Sequence, residues 1–289
     1  DPCTALGARG KERFTTERRQ AIREAFLATG LPYAESSWQR VDARLDAELD
    51  GWAERRAAVC TEVASSGATS LLDLRNSCLQ STLLYTSAFI DSLEHTNAEG
   101  VKNAVAAAYA LPSATACDDF EALLNRGVPP PSADNRARYD ELEALLAQAS
   151  AALHAGQYAD AAGRVAPILG AAEALGDKPL LAKVLLFAGS TAERLGKFDD
   201  ARASYERSAL VALAGKDDVG ALAAGARLVP VLAYRFSETP EAQQWIAQTS
   251  ALAERLGERA HPHDAILLEG RGIAAYEKGD YAQAKQHYS

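Results

Sequence analysis

The sequence predicts an all-α chain, and three observations carry that prediction. Tracts such as "NAVAAAYAL", "LLAQASAALHAG" and "GALAAGARLVPVLAYRF" are dominated by Ala and Leu, which are strong helix formers. Apolar residues return every three or four positions, while β-branched runs with period two are missing. In the second half a cluster of Gly, an aromatic two residues on and Ala three further recurs, as "AGQYADA", "LGKFDDA" and "KGDYAQA". It puts Tyr158, Phe198 and Tyr281 at equivalent places, 40 and then 83 residues apart, the second gap being close to two periods. The predicted architecture is an N-terminal helical domain over 1–127, a Pro-rich linker over 128–135, and an α-α superhelix over 136–289. The superhelix would hold about four repeats with a period of 40–42 residues, the last one truncated.

Composition narrows the function classes. Of 289 residues, 48% are hydrophobic but only 7% aromatic, and the formal charge is −9 with a pI near 5.2. A net negative field opposes phosphate binding, so no nucleic-acid partner is expected. No stretch approaches the roughly 20 continuous apolar residues of a membrane span. There is no signal peptide and no Met, so the first residues, "DPCTALGARG", read as a processed end from which targeting information has been removed.

The N-terminal elements follow in order. "TTERRQAIREAFLATG" offers Thr15 or Thr16 as an N-cap, Ile22, Phe26 and Leu27 as an apolar face, and Gly30 as a stop. From about Ala34 to Ser65, Trp38, Val41, Leu45, Leu49, Trp52, Val59 and Val63 line one face of a long helix. "SSGAT" breaks it, and further helices cover about Ser70–His95 and Ala98–Leu111. "ALPSATACDDF" turns into one short helix. Three successive prolines in "NRGVPPPSADN" cannot continue a helix, which places the domain boundary there.

Beyond the linker, Ala161, Ala201, Ala242 and Ala284 mark four copies, the third degraded to "FSETPEAQQW". Gly176, Gly215 and Gly257, spaced 39 and 42 residues apart, are expected as left-handed C-caps. Gly189 to Ala201 and Gly272 to Ala284 both span 12 residues, with Tyr205 and Tyr288 four beyond. These landmarks resemble the tetratricopeptide repeat (TPR), in which a small residue on helix A lets helix B approach closely. The resemblance covers about Arg136 to Ser289. The period exceeds the family's usual value of about 34, Pro230 stands at the small position of the third copy, and Pro167 falls inside helix B of the first, so long helices and local kinks are expected. "GDYAQAKQHYS" reads as the start of a helix B, so the chain is expected to continue past Ser289. The apolar side formed by Ile266, Leu267, Ile273 and Tyr276 should then lack part of its cover, and self-association or fraying through the C-terminal repeat is expected.

Four cysteines, Cys3, Cys60, Cys78 and Cys117, all lie in the first half. No metal is expected, because no C-x-x-C or H-x-x-x-H spacing accompanies them. Buried free thiols and disulfides are the two readings left open. If bridged, Cys60 and Cys78 are the expected pair, since they flank the "SSGAT" turn of one helical hairpin, with Cys3 and Cys117 as the second. "GWAERRAAVC", "LDLRNSCL" and "TACDDF", followed by the proline-bearing linker and long repeats, resemble the region after the transmembrane helix in bacterial membrane-anchored serine/threonine protein kinases. That resemblance implies a signalling role on the extracytoplasmic, periplasmic side of a membrane and favours disulfides. The alternative is a cytoplasmic scaffold or regulator that assembles partner proteins.

No catalytic constellation is legible. Kinase signatures are absent from this chain, so the parent protein, rather than this segment, would act on ATP. "GKE", "GKF" and "GKD" lack the glycine-rich turn and the Ser or Thr of a phosphate loop. In "HPHD", Asp264 is expected as an N-cap and His261 and His263 as loop residues; Asp199 and Asp200 read as first-turn charges. No cofactor is implied. The expected function is non-catalytic: interaction with a protein or peptide, acidic in character, or sensing of a ligand. The TPR resemblance puts the concave groove on Lys183, Phe187, Ser190 and Arg194 of repeat two, Arg227, Val231, Tyr234 and Arg235 of repeat three, and Glu269, Ile273 and Tyr276 of repeat four. The family's carboxylate-clamp asparagine is missing at Phe187 and Leu228.

Overall fold

The computed structural model describes residues 1–124, 131–132, 134–236 and 239–288. It is all-α, with no strand among the described residues. Of the expected linker over 128–135, residues 128–130 and 133 lie outside the described residues, as does Ser289. Two compact units form, one from 1–125 with 143–161 and one from 126–142 with 162–289. Among the described residues no helix is long and apolar enough to cross a membrane.

The first unit is built on α3 (Ala34–Ser66), whose 33 residues span about 50 Å. Around it stand α1 (Pro2–Lys11), α2 (Thr16–Ala28), α4 (Ser70–Leu93) and α5 (Ala98–Ala110). Trp38, Val41, Leu45, Leu49, Trp52 and Val59 are all buried along one stripe of α3, whereas Val63, at the free end, is 37% exposed. Ile22 and Phe26 of α2 join them, with the Phe26 ring edge-on to Trp38 at 5.7 Å, while Leu27 faces solvent. Thr15 is the N-cap of α2, accepting from the Arg18 N–H, and Gly30 follows the helix end at φ +70°.

Ahead of Thr15, in the stretch read as a processed end, the structure holds a further helix, α1. Its two glycines, which weaken a helix read alone, let it lie directly on α3. A methyl group on Gly7 would fall 2.5 Å from the Ala53 carbonyl oxygen, and one on Gly10 would fall 2.5 Å from Cε3 of Trp52. The same helix corrects the cysteine pairing. Cys3 bridges to Cys60, and Cys78 bridges to Cys117, so neither Cys60–Cys78 nor Cys3–Cys117 forms. Although Cys60 and Cys78 lie near one turn, Cys60 faces α1. Cys78 instead packs beside Cys117, Ala114, Trp52 and Leu79. "ALPSATACDDF" holds a 3-10 turn (Ala114–Asp118) and α6 (Phe120–Leu124), two elements where one was expected. Buried Glu48 accepts the Ala114 N–H, and Arg75 reaches both Glu62 and Asp118, bracing this turn.

The helices α7 (Arg136–His154) and α8 (Tyr158–Leu175) open the repeat region. The later part of α7 belongs to the first unit, where Ala147 and Ala151 pack with Tyr85 and Ala88. The second unit continues with α9 (Lys178–Arg194), α10 (Phe198–Ala214), α11 (Asp218–Pro230), a π-helical segment (Val231–Phe236), α12 (Thr239–Leu256), α13 (His261–Glu277) and α14 (Tyr281–Tyr288). From α9 onward each helix packs on the next, and α11 also packs on α9 and on α13. Ala161, Ala201, Ala242 and Ala284 are all buried. Gly156, Gly196 and Gly279, ahead of the three aromatic landmarks, all take positive φ, the conformation a tight turn between helices asks of glycine.

Two details differ from expectation. Gly176 and Gly257 are left-handed, but Gly215 is not; Lys216 takes the positive φ, at 62°. Glycine is needed at 215 for space instead, since a methyl there would lie 2.9 Å from Cβ of Lys178. At α13 the helix begins at His261, with Pro262 in its first turn, so Asp264 is a first-turn charge and not the N-cap.

Candidate functional site

The second unit carries most of the expected groove, and its geometry grows out of one repeated contact. Gly189 of α9 faces the ring of Tyr205 on α10, where a methyl would come 2.5 Å from Cδ1. Tyr205 is fully buried, and its hydroxyl donates to Glu193 Oε2 at 2.6 Å, with Ser190 Oγ at 3.3 Å. Burial first, and then the Glu193 charge, push the phenol pKa well above its ordinary value, so Tyr205 is a fixed donor. Ser190 donates in turn to the Leu186 carbonyl at 3.0 Å. The structure thus places Ser190 in a supporting network rather than on an open face.

Pro230 shapes the next part. Its missing N–H breaks the i→i−4 ladder, and the chain leaves α11 as a π-helical segment over Val231–Phe236. Val231 is 3% exposed and packs in a core of Tyr205, Leu228, Leu232 and Ala233. Its assignment to the groove is therefore corrected: it sits inward, under the surface it was expected to form. Tyr234 and Arg235 emerge instead, Tyr234 58% exposed. The Arg235 guanidinium lies 4.1 Å from the Phe198 ring centroid and 4.7 Å from that of Tyr234, a cation held between two π faces.

Phe198 opens α10, and an open cleft there is lined by Lys197, Phe198, Asp199, Asp200 and Arg235. Asp199 and Asp200 do sit in the first turn of the helix, as their spacing predicts. Arg194 and Arg227 are both exposed, and Arg227 is close enough to Tyr205 and His263 to bias their protonation. Among the described residues none of Arg194, Arg227 and Arg235 has a carboxylate partner. Arg202, nearby on α10, by contrast pairs with both Glu206 and Glu241.

The remaining groove residues are dispersed. Lys183 and Phe187 are half-buried on α9, and Glu269 is exposed on α13. Tyr276, also exposed, stacks edge-on against Tyr281 at 5.3 Å. Of the apolar side expected to lack cover, Leu267 is buried and Ile266 and Ile273 are half-buried, which leaves Tyr276 as its open member. Two members of the site were not singled out from sequence. Phe198 served only as a repeat landmark, although an aromatic at the turn was the available signal. Glu193 lies four residues after Gly189, one helical turn along, and that spacing places it over the same ring.

An unpaired cation held on two aromatic rings suits the docking of an anionic group. In comparisons with known proteins, no family model, no curated protein and no solved structure matches this chain.

Proposed function

We propose that this chain is a non-catalytic module that binds a protein or peptide through the face bearing Arg194, Arg227, Tyr234 and Arg235. In this reading it is a TPR-like superhelix and the extracytoplasmic sensor of a membrane-anchored serine/threonine protein kinase. The observation that carries the binding role is Arg235, held between Phe198 and Tyr234 with no carboxylate partner among the described residues. A guanidinium that makes no ion pair among the described residues is available to a partner's carboxylates, with Asp199 and Asp200 of the same cleft setting how far such a partner may reach.

The repeat reading is supported by recurrence of the Gly189–Tyr205 contact as Gly272–Tyr288, 83 residues further on. The extracytoplasmic reading is supported by the two disulfides, which belong to oxidising compartments. A cytoplasmic scaffold would keep its cysteines reduced, so the bridges favour the sensor over that alternative.

The test is fluorescence anisotropy of a dye-labelled peptide of alternating Glu and Leu, titrated with oxidised wild type and with the Arg227→Glu, Arg235→Glu double variant. Binding should weaken at least about tenfold in the variant, and the gap should narrow at high salt, where exposed charges are screened. Equal binding by the two proteins rejects the proposal.

A further inference from the structure

We propose that the cleft between α12, α13 and α14 is a second binding site, for a carboxylate carried beside an apolar side chain. It is separate from the Arg235 face and does not depend on it. Three helices turn donors into the cleft at helical spacing. Ser250 comes from α12, Arg271 and Lys278, two turns apart, from α13, and Gln283 and His287, one turn apart, from α14. Ile246 and small side chains form its floor.

The hydrogen bonding shows that one of these cations is aimed. The Ser250 hydroxyl donates to the Ile246 carbonyl at 2.5 Å, which leaves its oxygen free to accept, and the Arg271 guanidinium donates to that oxygen. Arg271 is thus tied down by a neutral acceptor and keeps its full charge. Among the described residues no Asp or Glu lines the cleft. Neither Arg271 nor Lys278 has a carboxylate partner among the described residues. Asp280, in the turn between α13 and α14, has its carboxylate engaged by the Gln283 N–H at 3.0 Å, capping α14.

Two like charges converging without compensation leave a local positive field, which an anion fills at a gain. The apolar floor adds a second requirement. A bare inorganic anion would use the cations and leave Ile246 uncovered, whereas a carboxylate next to an apolar side chain satisfies both. That is the chemistry of an acidic peptide with interleaved aliphatic residues.

The same Glu–Leu peptide serves as probe, with a Gln–Leu peptide of equal length and inorganic phosphate as the other arms, against wild type and Arg235→Gln, and against the Arg227→Glu, Arg235→Glu double variant alone and with Arg271→Gln or Lys278→Gln added, so that the first face cannot mask the cleft. In that double-variant background each substitution in the cleft removes one charge-assisted bond and should weaken the Glu–Leu peptide about tenfold. The Gln–Leu peptide should bind wild type at least about tenfold more weakly, and millimolar phosphate should fail to displace the Glu–Leu peptide. Circular dichroism checks folding; if Arg271→Gln is disordered through loss of its Ser250 tether, exposed Lys278→Gln decides. Affinity unchanged by Lys278→Gln in that background, equal binding of the neutral peptide, or full displacement by phosphate overturns the proposal. Loss confined to Arg235→Gln also overturns it, while leaving the function proposed above intact.

Discussion

Gly189 and Tyr205 share a contact so close that one hydrogen is all the space allows at residue 189: a methyl would meet Cδ1 and Cε1 of the ring at 2.5 and 2.6 Å. Gly272 and Tyr288 repeat the contact, at 2.6 Å to both Cε1 and Cζ. At Gly189 the backbone penalty of glycine is outweighed by burial of the Tyr205 ring, whereas the Tyr288 ring is 56% exposed.

Replacing Gly189 by Ala should therefore destabilise, although Ala is the better helix former by about 1 kcal/mol. The ring is fully buried and hydrogen-bonded, so it cannot swing away, and overpacking of this kind costs about 1–3 kcal/mol. Gly170→Ala in α8, where nothing lies within 4 Å, should instead gain about 0.5–1 kcal/mol. Urea unfolding measures both; if the two variants shift stability in the same direction, the close-packing account fails.

Tyr205→Phe should cost about 1–2 kcal/mol, because the Glu193 carboxylate loses a charge-assisted donor at 2.6 Å. Once Glu193 is Gln, much of that cost should vanish. A double-mutant cycle reads the coupling, and additive effects would mean that the bond contributes nothing.

Proteolysis without reduction should release one linked peptide pair containing Cys3 and Cys60 and another containing Cys78 and Cys117. Each bridge closes a long loop, with sequence separations of 57 and 39, and should stabilise by about 4 kcal/mol in the chain-entropy model. Reduction should accordingly lower the melting temperature. A Cys60–Cys78 peptide would contradict the packing of α1 on α3.

Stability should fall on mild acidification through His263. Burial, and secondarily the Arg227 charge, lower its pKa in the fold, with Asp264 opposing. The unfolded chain therefore takes up this proton at higher pH than the native one. The contribution is fully present above the unfolded value of about 6.5, is lost as pH falls below it, and levels off once the native imidazole is also protonated. His263→Gln should flatten melting temperature against pH across that window, and an unchanged profile would remove His263 as the cause.

Much of the fold was legible because helices announce themselves locally. The stripe from Trp38 to Val59 on α3, the Thr15 cap and the buried alanines at 161, 201, 242 and 284 needed only periodicity and cap chemistry. What stayed hidden depended on a partner far along the chain. Gly7 and Gly10 weaken a helix taken alone and find their reason only against α3, and without α1 the partner of Cys60 could not be identified. Gly215 looked like a left-handed cap, yet it serves the approach of Lys178 while Lys216 bears the positive φ. At the candidate site Arg235 and Tyr234 were visible as surface residues. Burial of Val231 was not, because the π-helical turn after Pro230 rotates the faces that a regular helix would present.

Hydrogen exchange of the oxidised protein, with and without the Glu–Leu peptide, tests the central claim most directly. If the face around Arg235 is where a partner docks, amides over 194–200 and 227–235 should exchange more slowly in the complex. The protection should disappear in the Arg227→Glu, Arg235→Glu variant while the rest of the second unit stays unchanged. Binding that leaves both segments at their free rates, whatever it protects elsewhere, would contradict the account.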